Sequence, residues 1–355
     1  MSDAPKLRVL VVEDSPVTRH LLVHIVNGDS EMDVVGEASD GREAVTLAGR
    51  LRPDVILMDI ILPGMDGLAA TQTIMHEFPT PIVLITAAYD PRDKTKTFEA
   101  MASGALTVLS KPQGPGTHGF AEEVANLTIT LKLMAQVKLV RRHRFRQADE
   151  SPPLSRARRT APSDQPIEAV AIAASTGGPA ALATVLAALP ESTPVPILVV
   201  QHITPGFHDG LVTWLNGLTP LSVRLAEHGA RLRSGEVLIA PPGRHLGVSR
   251  EGRVNLSPDP PISGHQPSAT YLFDSITRAY GGRALGVILT GMGDDGVAGL
   301  RTLKETGGVV VAQDRATSVV YGMPREAAVL GVVDHVVPVE LIGPTLVHLL
   351  NGGNA

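Results

Sequence analysis

The sequence predicts an α/β protein of two domains, each built on a doubly wound parallel sheet. Its 355 residues are more than one hydrophobic core normally covers. Short apolar segments of strand character alternate with amphipathic helical patterns in two separate series, which is typical of parallel sheets covered by helices. An arginine- and proline-rich stretch of low apolar content separates the two series. We therefore place a first domain at 1–140, a linker at 141–165 and a second domain at 166–352.

Composition narrows the class of protein. Hydrophobic residues make up 43% of the chain and charged residues 19%, as in globular proteins, and no apolar run is long enough to span a membrane. The first residues lack the pattern of a secretory signal, and the absence of cysteine excludes disulfides and thiolate metal sites. A net charge of −5 argues against general nucleic-acid binding. We expect a cytoplasmic monomer that neither enters membranes nor binds nucleic acid.

The first domain contains five predicted strands separated by helical patterns. Val17, Leu21 and Ile25 recur at the spacing of one helical face. A last helix is predicted at Ala121–Val140, extending toward the arginines of the linker. The strands are predicted at Arg8–Val12, Val34–Ala38, Val55–Asp59, Ile82–Thr86 and Leu106–Leu109. Because open parallel sheets bind ligands at the carboxyl ends of their strands, the residues at those ends are the first candidates for function.

Polar side chains stand at several of these strand ends. Glu13 and Asp14 follow the first strand, and Asp59 ends the third. Three converging carboxylates repel one another unless they share a hard divalent cation, and oxygen ligands suit Mg²⁺. Thr86 ends the fourth strand and can hydrogen-bond a phosphoryl group, while Lys111 follows the fifth and can neutralise its charge. Together they predict an acidic pocket that holds a cation next to a phosphoryl group.

The second domain repeats the arrangement with different residues at the strand ends. Its strands are predicted at Ala169–Ala174, Ile197–Gln201, Val237–Ala240, Leu285–Thr290 and Val309–Ala312. Ser175 follows the first of them, His202 follows the second, and a glycine-rich turn after the fourth leads to Asp294 and Asp295. A hydroxyl, an imidazole and a carboxylate on one sheet edge are the parts of nucleophilic acyl transfer, in which histidine removes the hydroxyl proton and the carboxylate fixes the histidine tautomer.

The segment VAIAASTGGP, residues 170–179, organises the second domain. Gly177 and Gly178 allow a substrate to approach the backbone, and Pro179 suits the first turn of a helix. Ser175 is thereby placed beside a helix N-terminus, which favours an oxyanion or a phosphate. Two alternatives remain open at this point: a tight turn with Ser175 as the helix cap, or a dinucleotide site. The second lacks both GxGxxG and an acidic ribose ligand.

The first domain resembles the receiver domain of bacterial response regulators, through VLVVEDS, PDVILMDIILPGMDG, ITA and SKP in that order. The resemblance implies a flavodoxin-like fold in which Asp59 accepts a phosphoryl group from a histidine kinase. Glu13, Asp14 and Asp59 would hold Mg²⁺, and Thr86 and Lys111 would sense the phosphate. Many receivers have aspartate at both acidic positions after the first strand, whereas the first is Glu13 here.

The second domain resembles the protein-glutamate methylesterase domain of bacterial chemotaxis, the CheB family. The motifs are IAASTGGP, VVQHI, IAPPGRH, HQPSATYLFDSI, LTGMGDDG and YGMPREA. The resemblance implies a Rossmann-like three-layer fold in which Ser175 is the nucleophile, His202 the base and Asp295, rather than Asp294, the orienting acid. Thr176 and Met292 would supply backbone oxyanion donors. Three further segments would wall the site: Pro241–His245, His265–Thr270 and Tyr321–Arg325.

The function expected from both resemblances is a phosphorylation-activated hydrolase of two-component chemotaxis signalling. It would demethylate glutamate methyl esters on chemoreceptors and deamidate glutamines there, with no cofactor for hydrolysis and Mg²⁺ for receiver phosphorylation. Its partners would be a histidine kinase and the receptors. Three rival functions are compatible with parts of the sequence: a peptidase or small-ester hydrolase using the same triad, a nucleotide-binding module or reductase, and a transcriptional regulator that contacts DNA through the arginine-rich linker. No helix-turn-helix pattern supports the last.

Overall fold

The computed structural model describes residues 5–86, 107–117, 119–137, 166–203 and 206–352. The chain divides into two compact units, Met1–Phe145 and Arg146–Ala355, and each is an α/β domain as predicted. The predicted linker at 141–165 lies outside the described residues, so its boundaries stay a prediction. In the described ranges, no helix has both the length and the apolar composition needed to cross a bilayer.

The first unit is a parallel sheet with the flavodoxin-like strand order. Its strands are β1 (Leu7–Val12), β2 (Met32–Ala38), β3 (Val55–Asp59), β4 (Ile82–Thr86) and β5 (Thr107–Ser110), and its described helices are α1 (Pro16–Gly28), α2 (Gly41–Leu51), α3 (Gly67–Glu77) and α4 (Phe120–Met134). The order β2-β1-β3-β4-β5 has every neighbouring pair parallel. Strands β3 and β4 are buried along their whole length, so both faces of the sheet are covered.

Local signals explain where the helices of the first unit begin and end. Ser15 Oγ accepts a hydrogen bond from Thr18 N–H at the start of α1, and aspartate side chains cap α2 and α3 in the same way. Helix α4 ends at Met134, so the prediction that it reaches Val140 is wrong. Its buried face consists of Leu127, Leu131 and Met134, and the chain leaves the helix in a turn directly after Met134.

The second unit is a seven-stranded sheet with an added hairpin. Its strands are β6 (Ala169–Ala174), β7 (Ile197–Gln201), β8 (Ser222–Leu225), β9 (Glu236–Ile239), β10 (His245–Val248), β11 (Val254–Ser257), β12 (Ala284–Ile288), β13 (Val309–Gln313) and β14 (His335–Val337). Its described helices are α5 (Gly178–Ala187), α6 (His208–Asn216), α7 (Ala269–Tyr280), α8 (Val297–Glu305), α9 (Met323–Val329) and α10 (Val339–Leu350), with a 3₁₀ turn at Gly281–Arg283. The sheet order is β14-β13-β12-β6-β7-β9-β8 with parallel neighbours, while β10 and β11 pair antiparallel outside it.

The central position of β6 sets the place of the functional crevice. The chain runs from β6 to β7 on one side and later returns to β12 on the other, so the strand order reverses beside β6. In open α/β sheets this switch point is where ligands bind, outside the carboxyl ends of the strands. One face of the sheet packs on α7 and α8 through Phe273, Leu300 and Leu303, which are buried with β-strand residues in one cluster. The core therefore holds β6, β7 and β12 rigidly beneath that crevice.

Candidate active site

Ser175 and His202 emerge side by side at the carboxyl edge of the second sheet. Ala174, the last residue of β6, lies opposite Gln201, the last residue of β7. His202 N–H donates to Ala174 O at 2.9 Å, and Ser175 N–H donates to Thr290 O at 3.0 Å beyond the end of β12. Parallel pairing thus carries the nucleophile candidate and the base candidate to one edge, where residues after β12 also arrive.

The turn after β6 does not use Ser175 as a helix cap. Helix α5 has Gly177 at its N-cap, in the left-handed region with φ 76°, and no side chain caps it. The alternative in which Ser175 caps α5 is therefore wrong. Gly178 is needed for a different reason, since a Cβ there would lie 2.1 Å from Gln201 Oε1. The hydroxyl of Ser175 therefore does not cap α5 and is available for another interaction.

The imidazole of His202 is held from one side. Its Nε2 donates to Asp295 Oδ2 at 2.9 Å, because a carboxylate oxygen can only accept. Its Nδ1 is buried and has no hydrogen-bond partner in the part of the chain described. The bond to Asp295 fixes the tautomer with the proton on Nε2, so Nδ1 keeps a lone pair. This nitrogen can accept a hydrogen bond at the edge where Ser175 emerges, and its role as the base for Ser175 stays a prediction.

Asp295, and not Asp294, is the acid that the structure brings to His202. Besides His202, it accepts hydrogen bonds from Ser268 Oγ at 2.7 Å and from two backbone N–H groups at the start of α7, Ala269 at 2.7 Å and Thr270 at 3.1 Å. Burial alone would raise the pKa of Asp295, but the hydrogen bond and charge of His202, followed by the bonds from α7, hold it well below its usual range.

Asp294 is exposed, whereas Asp295 is buried. Both line one open cavity of about 270 Å³, beside Thr270, Arg301 and Leu330. The two adjacent aspartates therefore differ in burial and in the bond to His202, which Asp295 makes at 2.9 Å. That only Asp295 orients the histidine stays a prediction.

Several residues of the site were missed by sequence reasoning. Gln201 Nε2 donates to the carbonyl oxygens of Ser175 at 2.8 Å and His202 at 2.9 Å, and so ties the two loops together. Thr290 Oγ1 donates to Thr176 O at 2.9 Å, while Thr290 N–H donates to Gln313 Oε1 at 2.8 Å. These side chains are polar residues at or just beyond the ends of apolar strands. That signal identified the acidic residues of the first domain and could have identified these.

The three segments expected to wall the site are linked to it by different kinds of contact. His265 stacks on His202, with ring centroids 4.2 Å apart and planes 4° apart. Burial, together with the neighbouring imidazole of His202, lowers the pKa of His265. Gly291 forms a parallel bridge with Tyr321 and accepts from Met323 N–H at 2.9 Å. In the third segment, Pro241–His245, His245 lies behind Ser268, whose N–H donates to His245 Nδ1 at 3.1 Å.

The predicted oxyanion donors lie next to the nucleophile. Thr176 directly follows Ser175, and its carbonyl is fixed by Thr290. A Cβ on Gly291 would lie 2.7 Å from Ser175 Cβ, so the backbone leading into Met292 runs against the serine. The Met292 side chain is 39% exposed and points away from the core. The donor role of the two amides stays a prediction.

In the first unit, the predicted phosphorylation pocket is assembled around Lys111. Its Nζ contacts Asp59 Oδ2 at 2.7 Å and Glu13 Oε2 at 2.9 Å. Burial raises the pKa of both carboxyls, with Lys111 offsetting part of the effect. Burial would lower the pKa of Lys111, but its hydrogen bonds to Asp59 and Glu13 raise it. Thr86 lies buried at the end of β4, where its carbonyl accepts from Lys111 N–H at 3.0 Å.

The donor set of this pocket fits a divalent cation. Glu13, Asp14 and Asp59 each offer one carboxylate oxygen, and these oxygens lie within 4.8 Å of one another. All three are hard oxygen ligands, and Asp14 is exposed, which leaves room for water ligands such as Mg²⁺ retains. The longer side chain of Glu13 still reaches the cluster. Burial raises the pKa of Glu13 and Asp59, and a divalent cation bound here would lower both, as the charge of Lys111 already does in part.

Comparison with known proteins gives consistent matches over both units. Residues 170–346 match the family model described as CheB methylesterase, and residues 9–117 match that of the response regulator receiver domain. The chain is 52% identical, over 90% of both sequences, to protein-glutamate methylesterase/protein-glutamine glutaminase 4 of Myxococcus xanthus. It is 48% identical to protein-glutamate methylesterase/protein-glutamine glutaminase 3 of Anaeromyxobacter dehalogenans, over 96% of this chain and 98% of the relative.

A solved structure resembles the second unit. The CheB methylesterase catalytic domain of Thermotoga maritima superposes with a TM-score of 0.51 and 38% sequence identity. The match covers 52% of this chain and 98% of that domain. The resemblance to one complete catalytic domain, together with the sequence matches over nearly the whole chain, identifies the fold of the second unit.

Proposed function

The chain belongs to the CheB methylesterase family, and we propose that it is a phosphorylation-activated hydrolase acting on chemoreceptors. It removes methyl groups from glutamate methyl esters and deamidates glutamine side chains. The observation that carries the proposal is the arrangement of His202, whose Nε2 donates to Asp295 while its buried Nδ1 keeps a lone pair at the edge where Ser175 emerges. The names of the Myxococcus and Anaeromyxobacter relatives support the same substrate class.

Acyl transfer from the substrate to the serine is the first step of this mechanism. His202 Nδ1 takes the proton of Ser175 as the hydroxyl oxygen attacks the ester or amide carbonyl carbon. The imidazolium then gives that proton to the leaving group, so methanol departs from an ester and ammonia from an amide. Asp295 stays ionised throughout, because its hydrogen bonds from His202, Ser268 and α7 hold its charge.

Water completes the reaction by hydrolysing the acyl-serine. His202 Nδ1 accepts a proton from the water as its oxygen attacks, and the proton returns to Ser175 as the acyl bond breaks. The negative oxygen formed in each step needs donors in fixed positions. The amides of Thr176 and Met292 take this role because the backbone at both residues runs beside the nucleophile.

The receiver pocket controls the hydrolase. Asp59 accepts the phosphoryl group from a histidine kinase. Glu13, Asp14 and Asp59 would hold Mg²⁺, which would supply positive charge to the phosphoryl oxygens. Lys111 Nζ already contacts Asp59 and lies where it can pair with the added charge. Phosphorylation replaces the single charge of the carboxylate by the larger charge of an acyl phosphate, a net gain of about one negative charge next to Thr86 and Lys111.

Methanol release tests the proposal directly. Receptor-containing membranes carrying radiolabelled methyl esters are incubated with the full chain, with and without a small-molecule phosphodonor. We expect release that increases with the phosphodonor, and a loss of about 10⁴-fold or more in Ser175→Ala. A chain that hydrolyses unrelated small esters but leaves the receptors methylated would refute the substrate assignment. Release that does not respond to phosphorylation of Asp59 would refute the control.

A further inference from the structure

The carboxylate of Asp295 sits in a cradle made by the first residues of α7. Ser268 is the N-cap of this helix, and its Oγ donates to Asp295 Oδ1 while accepting from Tyr271 N–H. Ala269 N–H and Thr270 N–H point at the same carboxylate. The position of Asp295, and through it the orientation of His202, therefore depends on where the backbone at Ser268 lies.

His245 fixes that backbone from behind. It is fully buried, and its Nδ1 accepts from Ser268 N–H at 3.1 Å. Its Nε2 lies 3.1 Å from the carbonyl oxygen of Pro260, which can only accept. Both neighbours thus require one tautomer, with the proton on Nε2 and a lone pair on Nδ1. The ring of His245 also stacks on that of Tyr271 in α7, with centroids 4.8 Å apart, and this contact holds the ring against the helix.

The strand that carries His245 is itself held against α7. Ser275 Oγ accepts from Val248 N–H at 2.7 Å and donates to Val248 O at 3.2 Å. Gly247 leaves room for this approach, because a Cβ there would lie 2.6 Å from Ser275 Oγ. Strand β10 is thereby fixed along the helix at two points, which makes His245 a rigid support for Ser268.

We propose that His245 is a positioning residue of the hydrolase, which holds the N-cap Ser268 and so sets the cradle of Asp295. The inference rests on the proposed function, in which Asp295 orients His202. Among the described residues, the hydrogen bonds and ring contact of His245 are to Pro260, Ser268 and Tyr271, so it acts on Asp295 through Ser268. Its essential group is the Nδ1 lone pair that faces Ser268 N–H.

Two isosteric substitutions separate this role from packing. In His245→Asn, the amide oxygen can replace Nδ1 as acceptor for Ser268 N–H, while the bond to Pro260 is lost. In His245→Gln, the longer amide can replace Nε2–H as donor to Pro260, while the acceptor for Ser268 is lost. His228 supplies a matched control, since its Nδ1 accepts from Leu256 N–H at 3.1 Å on the same hairpin, away from Asp295.

Steady-state kinetics of the full chain on a chromogenic small ester and on methylated receptors give the test. We expect His245→Gln to lower kcat by about 10- to 100-fold with KM nearly unchanged, because displacement of a catalytic group by about 1 Å can cost 100-fold. The acid limb of its kcat/KM profile should also move to lower pH, since a displaced Asp295 stabilises the imidazolium less. His245→Asn should stay within about threefold of the wild-type rate, as should both substitutions of His228.

Equal losses of kcat in the asparagine and glutamine variants would overturn the proposal and make His245 a packing residue. So would a wild-type ¹⁵N spectrum showing the His245 proton on Nδ1, a measurement that does not depend on any variant folding. The assay also separates this inference from the proposed substrate. Failure on receptors together with a preserved difference on the small ester would refute the receptor assignment and leave His245 in place.

Discussion

Two buried aspartates, one in each unit, are treated in opposite ways by their surroundings. Asp295 accepts hydrogen bonds from an imidazole, a hydroxyl and two helix amides, and its pKa lies well below the usual range. Asp59 shares one lysine with Glu13, and burial raises the pKa of both acids. The two aspartates are equally buried, since Asp295 is 3% exposed and Asp59 is 2% exposed. What differs is the number of donors that the fold supplies.

The two sites differ in how the carboxylate charge is compensated: at Asp295 by the protein at all times, and at Asp59 more fully when a ligand binds. The donors around Asp295 come from the backbone of α7 and from fixed side chains, so its charge is supported at all times. The cluster at Asp59 carries three acids against one lysine, and its carboxylate oxygens are close enough together to share a cation. The first arrangement suits a group that orients a base in every turnover. The second suits a group that is modified only when a partner delivers its phosphoryl group.

The largest expected effect concerns the acid that faces His202. Asp295→Asn should lower kcat by about 10⁴-fold, because the amide no longer fixes the tautomer or stabilises the imidazolium. Asp294→Asn is the matched control and should stay within a few-fold, since Asp294 is exposed. Methanol release from methylated receptors measures both. Similar losses of kcat in the two variants would show that the hydrogen bonds from α7 do not single out Asp295 as the acid that orients His202.

The next effect concerns the cation at Asp59. Phosphorylation by a small phosphodonor should require Mg²⁺ and be lost in excess chelator, because the acids repel one another without it. Asp14→Ala should block labelling, while Asp33→Ala, an exposed acid on β2, should not. Radiolabel or mass change at Asp59 reports the outcome. Undiminished labelling in chelator would mean that the pocket needs no metal and that Lys111 suffices.

A smaller effect should appear in stability. Because burial raises the folded-state pKa of Asp59 above its unfolded value, its charge destabilises the receiver unit at neutral pH, and this cost is relieved as pH falls. Asp59→Asn should raise the Tm of that unit by about 3–6 °C, which corresponds to about 1 kcal/mol. Mg²⁺ should raise the Tm of the wild type more than that of the variant. A lower Tm in Asp59→Asn would show that Lys111 already compensates the charge.

The smallest expected effect concerns the pH dependence of stability and a buried histidine of the second unit. His208 is 3% exposed, and neither ring nitrogen has a hydrogen-bond partner among the described residues; burial lowers its pKa. As the pH falls, the unfolded chain is therefore protonated at this histidine before the folded chain is. The contribution of His208 to the free energy of unfolding is constant above about pH 6.5 and declines as the pH falls toward the folded-state pKa. His208→Leu should remove this decline, worth about 2–4 °C in Tm at pH 5.5, whereas exposed His348→Asn should not. An unchanged decline would place the titrating group elsewhere.

Sequence reasoning succeeded where a single strand determines the position of a residue. Strands β3, β4, β6 and β7 have the predicted bounds, because each is a continuous apolar run buried on both faces. The candidate residues of both pockets follow from one rule, that parallel strands end at the same edge. Ser175, His202 and Asp59 needed nothing more than the order of the strands.

The parts that were missed depend on contacts between distant segments. Edge strands β8 and β14 are short and half-exposed, with Arg224 and His335 interrupting the apolar pattern, so no run of strand character marks them. The hairpin of β10 and β11 lies outside the parallel sheet, and the strand-end rule does not reach it. The bond between His245 and Ser268 spans 23 positions in the chain and exists only because β10 packs on α7.

The stacked pair of imidazoles offers a way to observe the base directly. Rings 4.2 Å apart and nearly parallel shield each other's protons through their ring currents, so the carbon-bound hydrogens of His202 and His265 should resonate upfield of those of exposed histidines. These signals depend on the stacking of the two rings, so any movement of His202 away from His265 would be visible in the spectrum of the free protein without substrate.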